Sequence, residues 1–179
     1  MSKPMLYIAY GSNLNLPQMA YRCPTAKVVG ASEIKDYELL FRGGGRGAVA
    51  TVEPLKDSNV PILLWKIRPA DEQALDRYEG YPHFYHKEVL PVELGGKTQP
   101  AMVYIMNDGH PFGAPSDYYL ETIMEGYKTA GFNTDFLEIR GEVHPAGRRT
   151  RAGQAGITGS GTRQSVRHEM EVTLNQLLK

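Results

Sequence analysis

Apolar residues along this chain fall mostly in short runs broken by Gly, Pro and polar clusters, a pattern that predicts a strand-rich core. Leu6 to Ala9 reads as a strand that breaks at Tyr10 and Gly11 into a loop. Segments 37–41 (YELLF) and 48–53 (AVATVE) read as strands, and 60–67 (VPILLWKI) is a longer apolar run suited to a buried strand. Further strands are predicted at 86–94 and 101–106, with Gly95 and Gly96 as the turn between them. Two helices stand out. The first runs from Pro69 to Glu79, with Pro at its start, Asp71 and Glu72 in its first turn and Gly80 as its stop. The second runs from Ser116 to Ala130, where Ser116 is a good N-cap, Tyr119, Ile123 and Tyr127 recur at helical spacing, and Gly131 closes the helix.

Strands that are not regularly interleaved with helices argue against a doubly wound parallel sheet. They predict an α+β fold, a mixed sheet or barrel with a few helices packed outside. This domain covers residues 1–140. From Gly141 onward the chain is rich in Gly, Thr, Ala and Arg with few large apolar residues, so 141–179 reads as a flexible C-terminal extension. Val166 to Leu178 within it has amphipathic spacing suited to a helix docking on the body or on a partner. The extension carries a mild positive excess, for which a solvated tail is a simpler reading than a polyanion contact.

Composition narrows the picture further. The 179 residues suffice for one domain with a real core, and 20 basic residues balance 20 acidic ones. That neutrality gives no reason to expect nucleic acid or an anionic membrane as the main partner. No stretch approaches membrane-spanning length and no signal-peptide pattern surrounds the first apolar run, so a cytoplasmic protein is expected. The single cysteine, Cys23, excludes an internal disulfide framework and a cysteine-based zinc cluster, and reads as a packing residue.

Candidate chemistry begins where the first strand ends, at Tyr10, Gly11, Ser12, Asn13 and Leu14. A strand breaking at Gly before small polar residues can aim backbone N–H groups outward as an anion-binding nest, which suits a carboxylate. Taken alone, such a turn also has a purely conformational explanation. The Gly43–Gly47 cluster (GGGRG) is followed by a strand, not by the helix that a nucleotide phosphate needs, so it reads as a mobile hairpin loop bordering a site. His83 and His86 with Glu79 or Glu88 match no metal-ligand spacing, and no metal site is expected. Glu79 is followed by a Gly80/Pro82 turn and surrounded in sequence by Tyr78, Tyr81, Phe84 and Tyr85. In an aromatic, desolvated pocket its pKa would rise toward neutrality, as an acid/base group requires. Composition alone also allows a helix-terminal glutamate in solvent. Ser12 lies outside a nucleophile elbow and Cys23 has no activating neighbour, which argues against covalent catalysis.

Six blocks in order, YIAYGSNL, YELLF with GAVATVEP, ILLWKI, LDRYEGYPHFYHKEVLPV, AMVYIM and PSDYYLETIMEGYKTAGF, resemble the gamma-glutamylcyclotransferase family and its AIG2-like relatives over roughly the first 140 residues. The resemblance implies a mixed α/β fold built around a β-barrel, with a cavity at one end for a glutamyl group. It implies that Tyr10, Gly11, Ser12, Asn13 and Leu14 grip that group through main-chain amides, that Glu79 is the acid/base, and that Tyr85, Tyr104 and Tyr119 line the cavity. The family's reaction needs no cofactor: the substrate's α-amino group closes on its own γ-carbonyl, giving 5-oxoproline and a free amine or amino acid. The YGSN spelling is similar to the branch acting on gamma-glutamyl amino acids or amines, whereas the glutathione-specific branch has a differently spelled loop. The expected partner is therefore a small gamma-glutamyl molecule, bound by a monomer or homodimer. Two other functions fit the same residues: a non-catalytic sensor of gamma-glutamyl metabolites, and an enzyme deprotecting a larger gamma-glutamylated amine. The extension after Gly141 has no counterpart in the family pattern.

Overall fold

The computed structural model describes residues 4–44, 47–135 and 137. The proposed extension, its amphipathic segment, and Gly45 and Arg46 of the glycine cluster lie outside those residues. In chain order the elements are β1 (Met5–Ala9), a single 3-10 turn (Ser12–Leu14), α1 (Leu16–Arg22), β2 (Lys27–Arg42), β3 (Val49–Ile67), α2 (Pro69–Glu79), β4 (Tyr85–Leu94), β5 (Lys97–Met106) and α3 (Asp117–Ala130).

One five-stranded sheet in the order β2-β3-β1-β5-β4 organises the molecule. Its centre is the short β1, antiparallel to β3 with Tyr7 opposite Trp65 and parallel to β5 with Tyr7 opposite Met102. Ile8 and Ala9 are buried because both faces of a central strand are covered. The loop that follows Ala9 therefore emerges from the middle of the fold. The edge strands β2 and β4 approach each other through side chains: Ser32 Oγ donates to Glu93 O at 2.7 Å and Lys35 Nζ lies 3.3 Å from Glu93 Oε1. The sheet is barrel-like without a closing ladder, in keeping with the expected α+β fold.

Three features depart from the strand pattern, the first being that the strand expected at 37–41 is only the end of β2, whose mixed polar and apolar first half from Lys27 also pairs with β3. Segments 48–53 and 60–67 belong to one strand, β3, whose two halves both pair with β2: Pro54 stands opposite Tyr37 and Asn59 opposite Lys35, with the polar stretch 55–58 bulging between them. A register shift between Lys35 and Tyr37 accommodates that polar stretch. Asp36 and Asp57 take positive φ there, and the Asp57 N–H donates to Asp36 Oδ1 at 2.9 Å. The third departure is α1, which the apolar pattern does not reveal. It starts at Asn15, whose side chain caps the Gln18 N–H at 3.1 Å, and it has Pro in its first turn.

The two predicted helices form as expected. α2 opens with the buried Asp71 carboxylate accepting the Arg68 N–H at 2.9 Å and the Thr25 hydroxyl at 2.6 Å. It stops at Gly80, which sits in the left-handed region at φ 64°. Its flank is tied to the sheet: Lys87 of β4 lies 2.6 Å from Glu72 and 2.7 Å from Asp76, and the Tyr104 hydroxyl of β5 donates to Asp76 at 2.6 Å. These links fix the last turn of α2, and with it Glu79. α3 is capped by Ser116 and closed by Gly131, and packs its buried face, including Ile123 and Tyr127, against the core.

Candidate active site

A cavity of about 210 Å³ opens where the end of β1, the end of α2 and α3 converge. A single water needs on the order of 15 Å³ measured this way, so there is room for a small metabolite. One wall is the 3-10 turn. Its first internal bonds run from the Leu14 N–H to Gly11 O at 3.0 Å and from the Asn15 N–H to Ser12 O at 3.1 Å. The N–H groups of Ser12 and Asn13, which precede those donors, have no acceptor within the turn. The turn is held from behind by α3, since a Cβ on Gly126 would stand 2.7 Å from Leu14 Cβ and 2.9 Å from Asn15 N. Asn15 Nδ2 adds a bond to Thr122 O at 3.2 Å and another to Glu125 Oε2 at 2.9 Å.

Opposite the turn stands Glu79. Its Oε1 accepts from Asn13 Nδ2 at 3.0 Å, so the carboxylate and the turn are joined directly. Burial pushes its carboxyl up from an ordinary 4.5 to about 7, against the lowering influence of the nearby Arg22 charge and the Asn13 hydrogen bond. Burial is the larger effect because the surroundings are aromatic. The phenols of Tyr7, Tyr10, Tyr85, Tyr104 and Tyr119 are all raised above the ordinary tyrosine value, chiefly by burial and further by the Glu79 charge. They remain neutral donors and acceptors at any ordinary pH.

Most of the residues singled out in the sequence meet here. Tyr10, Gly11, Ser12, Asn13, Glu79, Tyr85, Tyr104 and Tyr119 all line the cavity. Leu14 does not: its side chain is fully buried in the core and its N–H is spent on Gly11 O. Several of the phenols have structural partners as well. Tyr10 donates to Tyr104 O and Tyr85 to Ala50 O, each at 2.6 Å, while Tyr119 accepts the Ala50 N–H at 3.1 Å. The first ties the end of β1 to β5, and the two at Ala50 brace the N-terminal end of β3 against the site. His86 lies elsewhere, between Asn107 and Glu88 at 2.9 and 3.0 Å, beside a separate cavity. Cys23 is buried, with its thiol pushed up to about 11 by desolvation, and is therefore protonated and inert.

Three residues of the site have no distinctive sequence signal. Tyr7 is buried on β1 and accepts from Asn13 Nδ2 at 2.7 Å, which leaves its own O–H proton to donate. The alternation of β1 puts it on the same face as residue 5 and the opposite face from Ile8, but nothing in the strand marks it as polar in role. Tyr78 meets Ser12 Oγ at 3.0 Å, and Arg22 reaches the turn from α1. The placement of Arg22 follows only once the α1 helix is recognised from its Asn15 cap.

A family model described as gamma-glutamyl cyclotransferase, AIG2-like, matches residues 7–125. The chain is 26% identical over 149 residues to the human protein named gamma-glutamylcyclotransferase, covering 78% of this chain and 79% of that one. It is 25% identical over 152 residues to the protein of the same name from Bos taurus, with the same shares covered. A solved structure described as gamma-glutamyl cyclotransferase superposes with a TM-score of 0.71 at 23% identity, covering 95% of this chain and 99% of that one. The last likeness establishes the shared fold.

Proposed function

The chain belongs to the gamma-glutamyl cyclotransferase, AIG2-like family, and from that membership we propose that it cyclises a γ-glutamyl group, releasing 5-oxoproline and a free amine or amino acid. The observation that carries this reading is the Glu79 carboxyl, poised at about 7 inside an aromatic cavity and bonded at 3.0 Å to Asn13 of the turn opposite. A group that must first take and then return a proton near neutral pH works best with a pKa near the working pH.

In this reading the N–H groups of the Ser12/Asn13 turn hold the substrate's α-carboxylate. Ionised Glu79 takes one proton from the α-ammonium, and the freed amine attacks the γ-carbonyl carbon. A tetrahedral centre forms, its oxygen stabilised by hydroxyl donors such as Tyr7. The ring nitrogen loses its surplus proton to solvent. The bond from the γ-carbon to the departing nitrogen then breaks as Glu79 delivers its proton to that nitrogen. Holding the folded-back conformer supplies much of the rate, since effective molarities of about 10⁵ M or more are reached in well-oriented intramolecular reactions. A pure binding module would gain nothing from a carboxyl raised to this value, because a fully ionised glutamate would hold the α-ammonium better.

The test is incubation of the purified protein with a panel of γ-glutamyl dipeptides and γ-glutamyl amines. For at least one member, 5-oxoproline and the free amine should appear in equal amounts. Calorimetric binding of these compounds without any 5-oxoproline would overturn the catalytic reading in favour of a sensor.

A further inference from the structure

Arg22 does not line the cavity, yet it bonds the side chain that contacts Glu79. The Asn13 carboxamide is the bridge. Its NH2 group donates one hydrogen to Tyr7 OH at 2.7 Å and the other to Glu79 Oε1 at 3.0 Å, while its Oδ1 accepts from Arg22 Nη1. The two ends of a carboxamide are nearly the same size, so only their hydrogen-bond partners decide which way it points. Flipped, it would turn Oδ1 toward a carboxylate, and the two oxygens would repel.

Arg22 is itself firmly held. Its Nη2 donates to Gln18 Oε1 at 3.1 Å, one helical turn earlier on α1, and its guanidinium lies 3.4 Å over the Tyr78 ring of α2. Tyr78 in turn meets Ser12 at 3.0 Å. One side chain thus fastens α1, the turn and the last turn of α2 together.

We propose that Arg22 is a positioning residue for the cyclisation: it locks the Asn13 carboxamide with its NH2 toward Glu79 and sets the field in which that carboxyl works. The assignment rests on the reading of Glu79 as the acid/base. The groups facing Glu79 from the other packed elements are phenols: Tyr7 from β1, Tyr10 just after it, Tyr85 from β4, Tyr104 from β5 and Tyr119 from α3. Asp76, one turn earlier on α2, is tied to Lys87 and Tyr104. Among the described residues Arg22 is the cation that acts on Glu79, and both its charge and the Asn13 bond that it orients favour the ionised carboxyl. Removing Arg22 weakens both, and the midpoint must rise.

The test is a ¹³C NMR titration of the Glu79 carboxyl in the full chain without substrate, the resonance being identified by its loss in Glu79→Gln. In Arg22→Met the midpoint should climb by about one unit or more above wild type. In Arg22→Lys, which keeps a charge but cannot fork across Asn13 and Gln18, a smaller rise is expected. The acid limb of kcat/KM should move by the same amount, whereas a merely structural role would lower kcat/KM at every pH and leave the midpoint in place. Midpoints of both variants that coincide with wild type would overturn the assignment. If Arg22→Met does not fold, Arg22→Lys decides by the same criterion. Wild-type turnover with unmoved midpoints defeats only the role of Arg22. A moved midpoint in a protein that releases no 5-oxoproline upholds the positioning and defeats the cyclisation.

Discussion

The carboxyl of Glu79 is kept protonated at pH values where most glutamates are charged, and that has a cost for the fold. Its folded value is about 7 against an ordinary 4.5, so the native state binds a proton that the unfolded chain has released between those two values. The stability that goes with this group is fully present below about pH 4.5 and is lost as pH rises through 7. Glu79→Gln, which mimics the protonated form, should match wild type in urea unfolding at acid pH and exceed it by about 3 kcal/mol at pH 8. Equal stability at both pH values would show that the carboxyl is not desolvated. The aromatic neighbourhood of Glu79 could be read locally, from a helix stop at Gly80 among four aromatics, but that pattern also fits a glutamate in solvent, and it was the family resemblance that singled this residue out. Tyr7 and Arg22 were not legible: their roles arise from contacts with Asn13 that exist only after β1, the turn and α1 are folded together.

Among the elements, α3 acts as the platform for the turn. Gly126 lets the helix approach so closely that an added methyl would stand 2.7 Å from Leu14 Cβ and 2.8 Å from Leu14 C. Backbone cannot yield as a flexible side chain would. Gly126→Ala should therefore lower stability by about 1–3 kcal/mol despite the better helix propensity of alanine, and should lower kcat/KM by about tenfold as the turn shifts. Urea unfolding and steady-state kinetics check the two effects, and a variant as stable and active as wild type would contradict the close-packing account. Helices α2 and α3 were legible because their caps and stops are sequence-local. The joining of 48–53 and 60–67 into β3 was not. The polar residues 55–58 have no partner in the ladder and look in sequence like a loop, and only the pairing of the residues on either side with β2 makes the two segments one strand.

At the scale of the whole molecule, the mixed sheet places β1 at the centre, and the turn that walls the cavity follows directly from the end of that strand. The α+β architecture could be read from the order of strands and helices, but the convergence of the turn, α2 and α3 on one cavity is a product of topology. The proposed reaction depends on one proton carrier facing one anion-holding turn, with the nucleophile supplied by the substrate itself. The most direct measurement is the rate of 5-oxoproline release from a γ-glutamyl substrate turned over by wild type, compared with Glu79→Gln at saturating substrate. General acid/base groups contribute roughly 10²–10⁴-fold, so the variant should lose at least about a hundredfold in kcat while still binding the substrate. A Glu79→Gln protein that releases 5-oxoproline at the wild-type rate would contradict the account at its centre.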